Sequence, residues 1–271
     1  MIPDPERIAQ ILQDVAETVV LPRFKRLAAH EISEKKPGDI VTIADEEAEE
    51  ALEQALKGEL PEAFIVGEEA ASRAPQSMDV LMGDDPVWVI DPIDGTQNFA
   101  DGKTCFAMIV ALVRGSETLG GWIHLPIENA TIWACRGEGA YEAGNRLRPE
   151  TPPDFGQFCG SLTRRSRERF QRLRERPGNE GKIPEKIVRY RCVGAEYADL
   201  ARGKLQFSRY GGRLKPWDHA AGVLIHAECG GFNAIVETDE PYRPLPTINR
   251  KILMMTPDQD AWVQIRDLLE D

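Results

Sequence analysis

The stretch Trp88-Val89-Ile90-Asp91-Pro92-Ile93-Asp94-Gly95-Thr96 decides the fold, because an apolar run passes directly into two carboxylates and a turn. Val87 to Ile90 reads as a short buried strand. Pro92 biases Asp91 toward extended backbone and removes a backbone donor, so the strand is expected to end at Asp91. Asp94 follows three residues on, which lets both side chains converge on one side of the turn with the Ile93 carbonyl as a third oxygen. Hard divalent cations take this oxygen set. Gly95 permits close backbone approach or positive φ, and Thr96 can open a short helix whose free N–H groups favour an anion. Metal and phosphate are therefore expected as neighbours.

Three alternatives fit less well. An Asx-type turn uses the same residue types but leaves the paired acids unexplained. An EF-hand loop counted from Asp91 needs acidic or amide residues where Ile93 and Gly95 stand. Gly102-Lys103-Thr104 has the ending of a P-loop, yet Gln97 occupies the required upstream glycine position.

Acidic residues recur where strands meet loops. Phe64-Ile65-Val66 reads as a brief strand running into Gly67-Glu68-Glu69. Asp218 in Pro216-Trp217-Asp218 stands at the start of an apolar helix ended by Gly230-Gly231, a position where Asp is also a good N-cap worth about 1 kcal/mol. Asp39 and Asp45 flank Ile40-Val41-Thr42-Ile43, and Asp45 precedes an acidic helix with Ala48, Ala51, Leu52, Ala55 and Leu56 on one face.

Together these segments resemble the inositol monophosphatase family. Gly67-Glu68-Glu69, Asp91-Pro92-Ile93-Asp94-Gly95-Thr96 with Asn98-Phe99, Trp217-Asp218 with Ala220-Ala221-Gly222, and Asp39 to Asp45 match its signatures in order, over nearly the whole chain. The resemblance implies a magnesium-dependent, lithium-sensitive phosphomonoesterase with two or three ions per site. Glu68, Asp91 and the Ile93 carbonyl would hold one ion, and Asp91, Asp94 and Asp218 another, with Glu68 also serving a weaker third. Thr96 and Asp45 would orient or deprotonate the attacking water, and the Gly95 and Thr96 amides would hold the phosphate. The family's lysine before the early motif corresponds to Lys35 or Lys36. The implied fold is a mixed α/β, layered α-β-α-β-α sandwich of the sugar phosphatase type, and the implied assembly is a homodimer.

This chemistry suits the residue types. Phosphate monoesters resist hydrolysis in water, and the barrier is mostly charge and alignment. Carboxylates repel a phosphate unless cations reverse the local sign, and a metal pair can also acidify the attacking water and neutralise the leaving oxygen. No covalent enzyme intermediate is needed.

The 271 residues carry a formal net charge of −12, which disfavours nucleic acid and anionic membranes as partners. The longest apolar stretch, Phe106 to Val113, is too short to span a bilayer, and the N-terminus lacks a leader pattern, so a cytoplasmic protein is expected. Five cysteines, with no Cys-x-x-Cys pair, argue against a disulfide framework or a zinc site. His30, His124, His219 and His226 have no metal spacing, and only His219, beside Asp218, adjoins a candidate site residue.

One compact body with two lobes is expected: residues 1–148, carrying most metal-binding motifs, and 149–271, contributing Asp218 and substrate contacts. Ile8, Ile11, Leu12, Val15 and Val19 predict a long amphipathic helix after Asp4-Pro5. A strand-rich middle follows, with Val87 to Ile90, Phe106 to Val113, Leu119 to His124 and Ala130 to Cys135. Beyond the prolines at 149, 152 and 153, a strand at Ile187 to Arg191, a helix near Tyr197 to Ala201, a strand at Phe207 to Tyr210, the helix after Asp218 and a terminal helix near Asp258 to Leu269 alternate as in an α/β lobe. The arginines between Arg164 and Arg176 read as a solvated helix face; the sharper alternative is a docking surface for RNA or an acidic partner.

Substrate identity lies outside the metal motifs. Inositol-hydrolysing members carry a glutamate seven residues before the last-motif aspartate, and this chain has Gly211 there. Gly194, Ala195 and Glu196 in Val193-Gly194-Ala195-Glu196 resemble the segment lining the alcohol side, with Glu196 as a replacement acceptor and Asp218 nearby. Arg191, Arg209 and Arg213 are near in sequence and suit a second anionic group. The expected substrate is a small phosphorylated polyol or sugar, with histidinol phosphate, fructose 1,6-bisphosphate and a bisphosphate nucleotide as alternatives.

Overall fold

A computed structural model describes residues 2–179, 181–184, 186–246 and 249–270. Two sheets carry the fold. The larger runs in the order Phe64–Gly67, Val87–Asp94, Ala107–Arg114, Glu117–Leu125, Ala130–Cys135, Gly139–Glu142 and Asn145–Arg146. Its first pair is parallel and the others are antiparallel. The smaller has the order Lys186–Val188, Cys159–Ser161, Phe207–Arg213, Asn249–Thr256 and Phe232–Ile235.

Strand alternation explains the layering. Along the strand Val87–Asp94, Trp88 and Ile90 pack with the helices Pro5–Val15 and Ile43–Glu59, through Ile8, Leu12, Leu52 and Leu56. Val87 and Val89 face the opposite way, onto the helices Val193–Ala201 and Pro216–Glu228. Those two helices also meet the second sheet at Tyr210, Leu253 and Met255. Its far face, with Phe207 and Met254, is covered by Arg164–Arg174 and Gln259–Glu270 through Phe170, Trp262 and Ile265. The result is the expected α-β-α-β-α sandwich, with both sheets buried between helical layers.

Four local expectations are corrected. The strand of Asp91 does not stop there but continues to Asp94. Asp91 pairs with Ile109 and Asp94 with Ala107, so three steps on one strand match two on its neighbour. This is a β-bulge, where an unpaired residue is tolerated and a proline loses no ladder bond. The extra residue also reverses side-chain parity, so Asp91 and Asp94 fall on one face although an odd number of steps separates them.

The second correction concerns the first helix. It passes at Ala16 into a π-turn, Ala16–Val20, and ends in Leu21–Arg23. The inserted residue shifts the buried stripe, so Val20 is fully buried while Val19 is only half-buried. Val20→Ala is expected to cost about 1.5–3 kcal/mol of unfolding free energy, and Val19→Ala much less, as read by urea denaturation.

Third, the strand expected at Ile187 to Arg191 covers Lys186–Val188, because the backbone turns left-handed at Arg191, where φ is 59°. Fourth, the strands Ile32–Lys36, Asp39–Thr42, Gly139–Glu142 and Asn145–Arg146 were not anticipated, nor were three strands of the smaller sheet. Cys159–Ser161 is too short for a period to show, and Phe232–Ile235 and Asn249–Thr256 are apolar runs set among prolines and charges.

The helix Arg164–Arg174 buries Ser166, Phe170 and Leu173 and exposes most of its arginines, as a solvated face does. No helix among the described residues is long and apolar enough to cross a membrane.

Candidate active site

Glu68, Asp91 and Asp218 meet although they are far apart in sequence, each offering a carboxylate oxygen within 4.8 Å of the others. Glu68 opens the helix Glu68–Arg73 directly after a strand, Asp91 lies at the bulge, and Asp218 sits in the first turn of Pro216–Glu228. Asp218 is not the N-cap, a position held by Lys215.

Gly67 has a steric reason. A Cβ there would strike the carboxylate of Glu49, which accepts from the Glu69 and Ala70 amides at 2.8 Å each. Glu49 thus closes the N-terminus of the Glu68 helix from a neighbouring helix and fixes where Glu68 emerges.

Asp94 is buried beside this cluster, with Oδ2 accepting from the Gly194 amide at 2.6 Å and the Cys192 thiol at 3.1 Å. A Cβ on Gly194 would lie 2.7 Å from that of Ala107 and 3.2 Å from Asp94 Oδ2, so only glycine brings this amide close enough. Ala195 lines a separate pocket with Tyr190 and Asp199. Glu196 is buried and turned inward, accepting from Ser161 Oγ at 2.5 Å and the Tyr190 amide at 3.3 Å.

Gly95 has φ of 86°, and the helix Thr96–Ala100 starts directly after it. The Thr96 hydroxyl lies 3.1 Å from Asp45 Oδ1 and 3.0 Å from the Ile93 carbonyl, so its one proton is shared between them. Asp45 is the third residue of its helix rather than the residue before it. Its Oδ2 accepts from the Thr42 amide at 2.8 Å and the Thr42 hydroxyl at 2.6 Å. One carboxylate thus closes a capping box and reaches the turn at Gly95 and Thr96.

The electrostatics fit a cation site. Burial, then Glu68, Asp94 and Asp218, push Asp91 well above the usual carboxylate range. Burial likewise raises Asp218 well above it, against the pull of Lys215. Burial also raises Glu68, but Lys215 and Lys35 outweigh it and hold that carboxyl low. Asp91 Oδ1 is buried without a hydrogen-bond partner among the described residues. A carboxylate oxygen left bare in this setting is costly unless a cation meets it, so these residues fit a divalent metal.

Lys35, not Lys36, is the lysine at the site. Its Nζ lies 3.1 Å from Glu68 and 3.0 Å from Glu69, while Lys36 is exposed on the other side of the strand. Lys215 Nζ also reaches Glu68, at 3.1 Å. Lys215, Glu49 and Cys192 were not singled out as site residues, because a lysine before a helix, a glutamate inside one and a lone cysteine each read as ordinary surface or core. His219 is buried, bonded to the Tyr197 hydroxyl at 3.0 Å and pushed down by burial to about 3, so it stays neutral.

With this geometry in hand, similarity to known proteins becomes specific. The sequence profile of the inositol monophosphatase family matches residues 5–254, so the chain belongs to that family and is a phosphatase. A fructose-1,6-bisphosphatase/inositol-1-monophosphatase of Aquifex aeolicus is 29% identical over 246 residues, covering 87% of this chain and 86% of its own. A protein of Salmonella typhimurium named Nus factor SuhB is 31% identical over 223 residues, covering 80% and 79%. An IMPase structure from Thermotoga maritima superposes with a TM-score of 0.78 at 24% identity, over 96% of this chain and 94% of that one.

Proposed function

We propose that the protein is a magnesium-dependent phosphatase of a small phosphate monoester, a polyol or sugar phosphate. The observation that carries this reading is the convergence of Glu68, Asp91 and Asp218 around the bare Asp91 Oδ1. Those three carboxylates, with Asp94 and the Ile93 carbonyl, would hold two or three Mg2+ ions. Bound magnesium would offset the carboxylates, attract the phosphate and acidify water.

The protein's own groups supply the rest. The Gly95 and Thr96 amides at the helix start would receive phosphate oxygens. Asp45, pushed up to about 7 by burial, would accept a proton from the attacking water in concert with the Thr96 hydroxyl. Lys35 and Lys215 would keep Glu68 ionised and oriented. The resemblance further implies a cytoplasmic homodimer inhibited by lithium.

Purified protein supplied with magnesium should release phosphate from at least one of inositol phosphate, fructose 1,6-bisphosphate, histidinol phosphate and phosphoadenosine phosphate. Chelation should stop the reaction, and lithium should slow it. Silence across the whole panel would remove the reading, and full activity under chelation would remove its magnesium.

A further inference from the structure

We infer that the alcohol released by this enzyme carries a second phosphate, held by Arg191, Arg209 and Arg213 across the pocket from the carboxylate cluster. The inference deepens the proposed phosphatase activity and rests on it. A pocket of about 290 Å³ opens beside the site, with Asp94 and Asp218 on its metal side. Arg189, Arg191, Arg209 and Arg213 line the remainder. Four guanidiniums on one cavity stand out in a chain of net charge −12.

Of the four, Arg191 acts on one carboxylate outside the lining, Asp101. The one other carboxyl in the lining, Glu196, is buried and accepts hydrogen bonds from Ser161 and the Tyr190 amide. Arg189, Arg191 and Arg213 are exposed and join no salt bridge among the described residues. Arg209 donates to Ser166 Oγ at 3.2 Å, in the first turn of the helix Arg164–Arg174. Thr163, the N-cap of that helix, also lines the pocket and makes no side-chain capping bond, so the positive end of the helix adds to the same field. Tyr210 lines the pocket as well, its buried hydroxyl turned toward Ser208 and Glu196.

The cationic wall is held to the phosphate turn. Asn98, in the helix after Gly95, donates to the Cys105 and Tyr190 carbonyls at 2.8 and 2.9 Å. Tyr190 thus fixes the approach to Arg191, whose left-handed backbone commits the chain locally to one path. Gly211 offers a neutral polyol no side chain, and Glu196 is already hydrogen-bonded within the protein. A phosphate dianion meets planar guanidinium donors suited to bidentate contact.

Steady-state kinetics on matched pairs tests this: fructose 1,6-bisphosphate against fructose 1-phosphate, and adenosine 3′,5′-bisphosphate against adenosine 3′-phosphate. In at least one pair, kcat/KM for the bisphosphate should exceed that for the monophosphate by about 10-fold or more, as charge-assisted hydrogen bonds allow. Arg191→Gln and Arg213→Gln should each pull that ratio toward one, and added salt should shrink it in the wild type. Equal kcat/KM in both pairs, or a ratio untouched by both substitutions, would overturn the second-phosphate subsite. Calorimetric binding of the same pairs gives the ordering independently of turnover. A protein that hydrolyses nothing yet binds bisphosphates more tightly through these arginines would sink the phosphatase reading and leave the subsite standing, whereas equal affinities would sink the subsite.

Discussion

Asp91→Asn is expected to lower kcat/KM for every phosphate ester by more than about 100-fold while raising the thermal midpoint of the protein prepared without metal. The first effect follows because even the outer partners of metal ligands cost ~10–100-fold when removed, and Asp91 is proposed as the ligand shared between ions. The second follows from linkage. Burial and three neighbouring carboxylates raise Asp91 well above its ordinary range, so the folded state binds its proton more readily than the unfolded chain does. Its stabilising contribution is fully present below the unfolded value near 4 and is lost as pH rises through the folded one. Asp218 follows the same sign. Metal-free wild type should therefore be less stable at pH 8 than at pH 5.5, and removing one buried charge should restore on the order of 1–4 kcal/mol. Differential scanning calorimetry with chelator checks both statements. A variant less stable than the wild type at pH 8 would mean that the carboxylates are not in conflict.

Asp45→Asn should reduce kcat by about 10²–10⁴-fold, the usual contribution of a positioned general base. Because the base must be ionised, wild-type rates should climb with pH through an inflection at or below about 7, the value to which burial raises Asp45. Cations held by Glu68, Asp91 and Asp218 would move that inflection downward. The variant should lose the inflection, while its amide oxygen can still accept from Thr42 and keep the capping box. Unchanged rates with an unchanged pH profile would take Asp45 out of the chemistry and leave it as a cap.

Much of the site was legible because its carboxylates stand at junctions between apolar runs and loops, where an acid has little packing reason to be. Asp91 and Asp94 were read as a pair from the Asp-Pro-Ile-Asp spacing, yet the bulge that puts them on one face depends on pairing with Ala107 and Ile109, which a single sequence does not display. The same limit applies to Lys215 and Glu49. Their roles arise from contacts 147 and about 20 residues away, and residue type alone does not distinguish them from ordinary helix charges. Lys35 and Lys36 could be separated only once the strand Ile32–Lys36 showed which side faces Glu68. The layered fold followed from family resemblance more than from periodicity, since the π-turn at Ala16–Val20 and the three-residue strand Cys159–Ser161 break or hide the periods that would reveal them. The arginines lining the second pocket were partly visible as neighbours of the Asp218 motif. Arg189 joined them only when the chain folded back beside Asp94.

The most direct test is calorimetric titration of magnesium into the metal-free protein, paired with its thermal midpoint at rising magnesium. Saturable binding is expected, with a midpoint that climbs as ligand linkage requires. Both responses should be weakened or lost in Asp218→Asn, although that residue lies far along the chain from Glu68 and Asp91. A wild-type protein whose heat signal and midpoint ignore millimolar magnesium would contradict the idea that these distant carboxylates meet around shared cations.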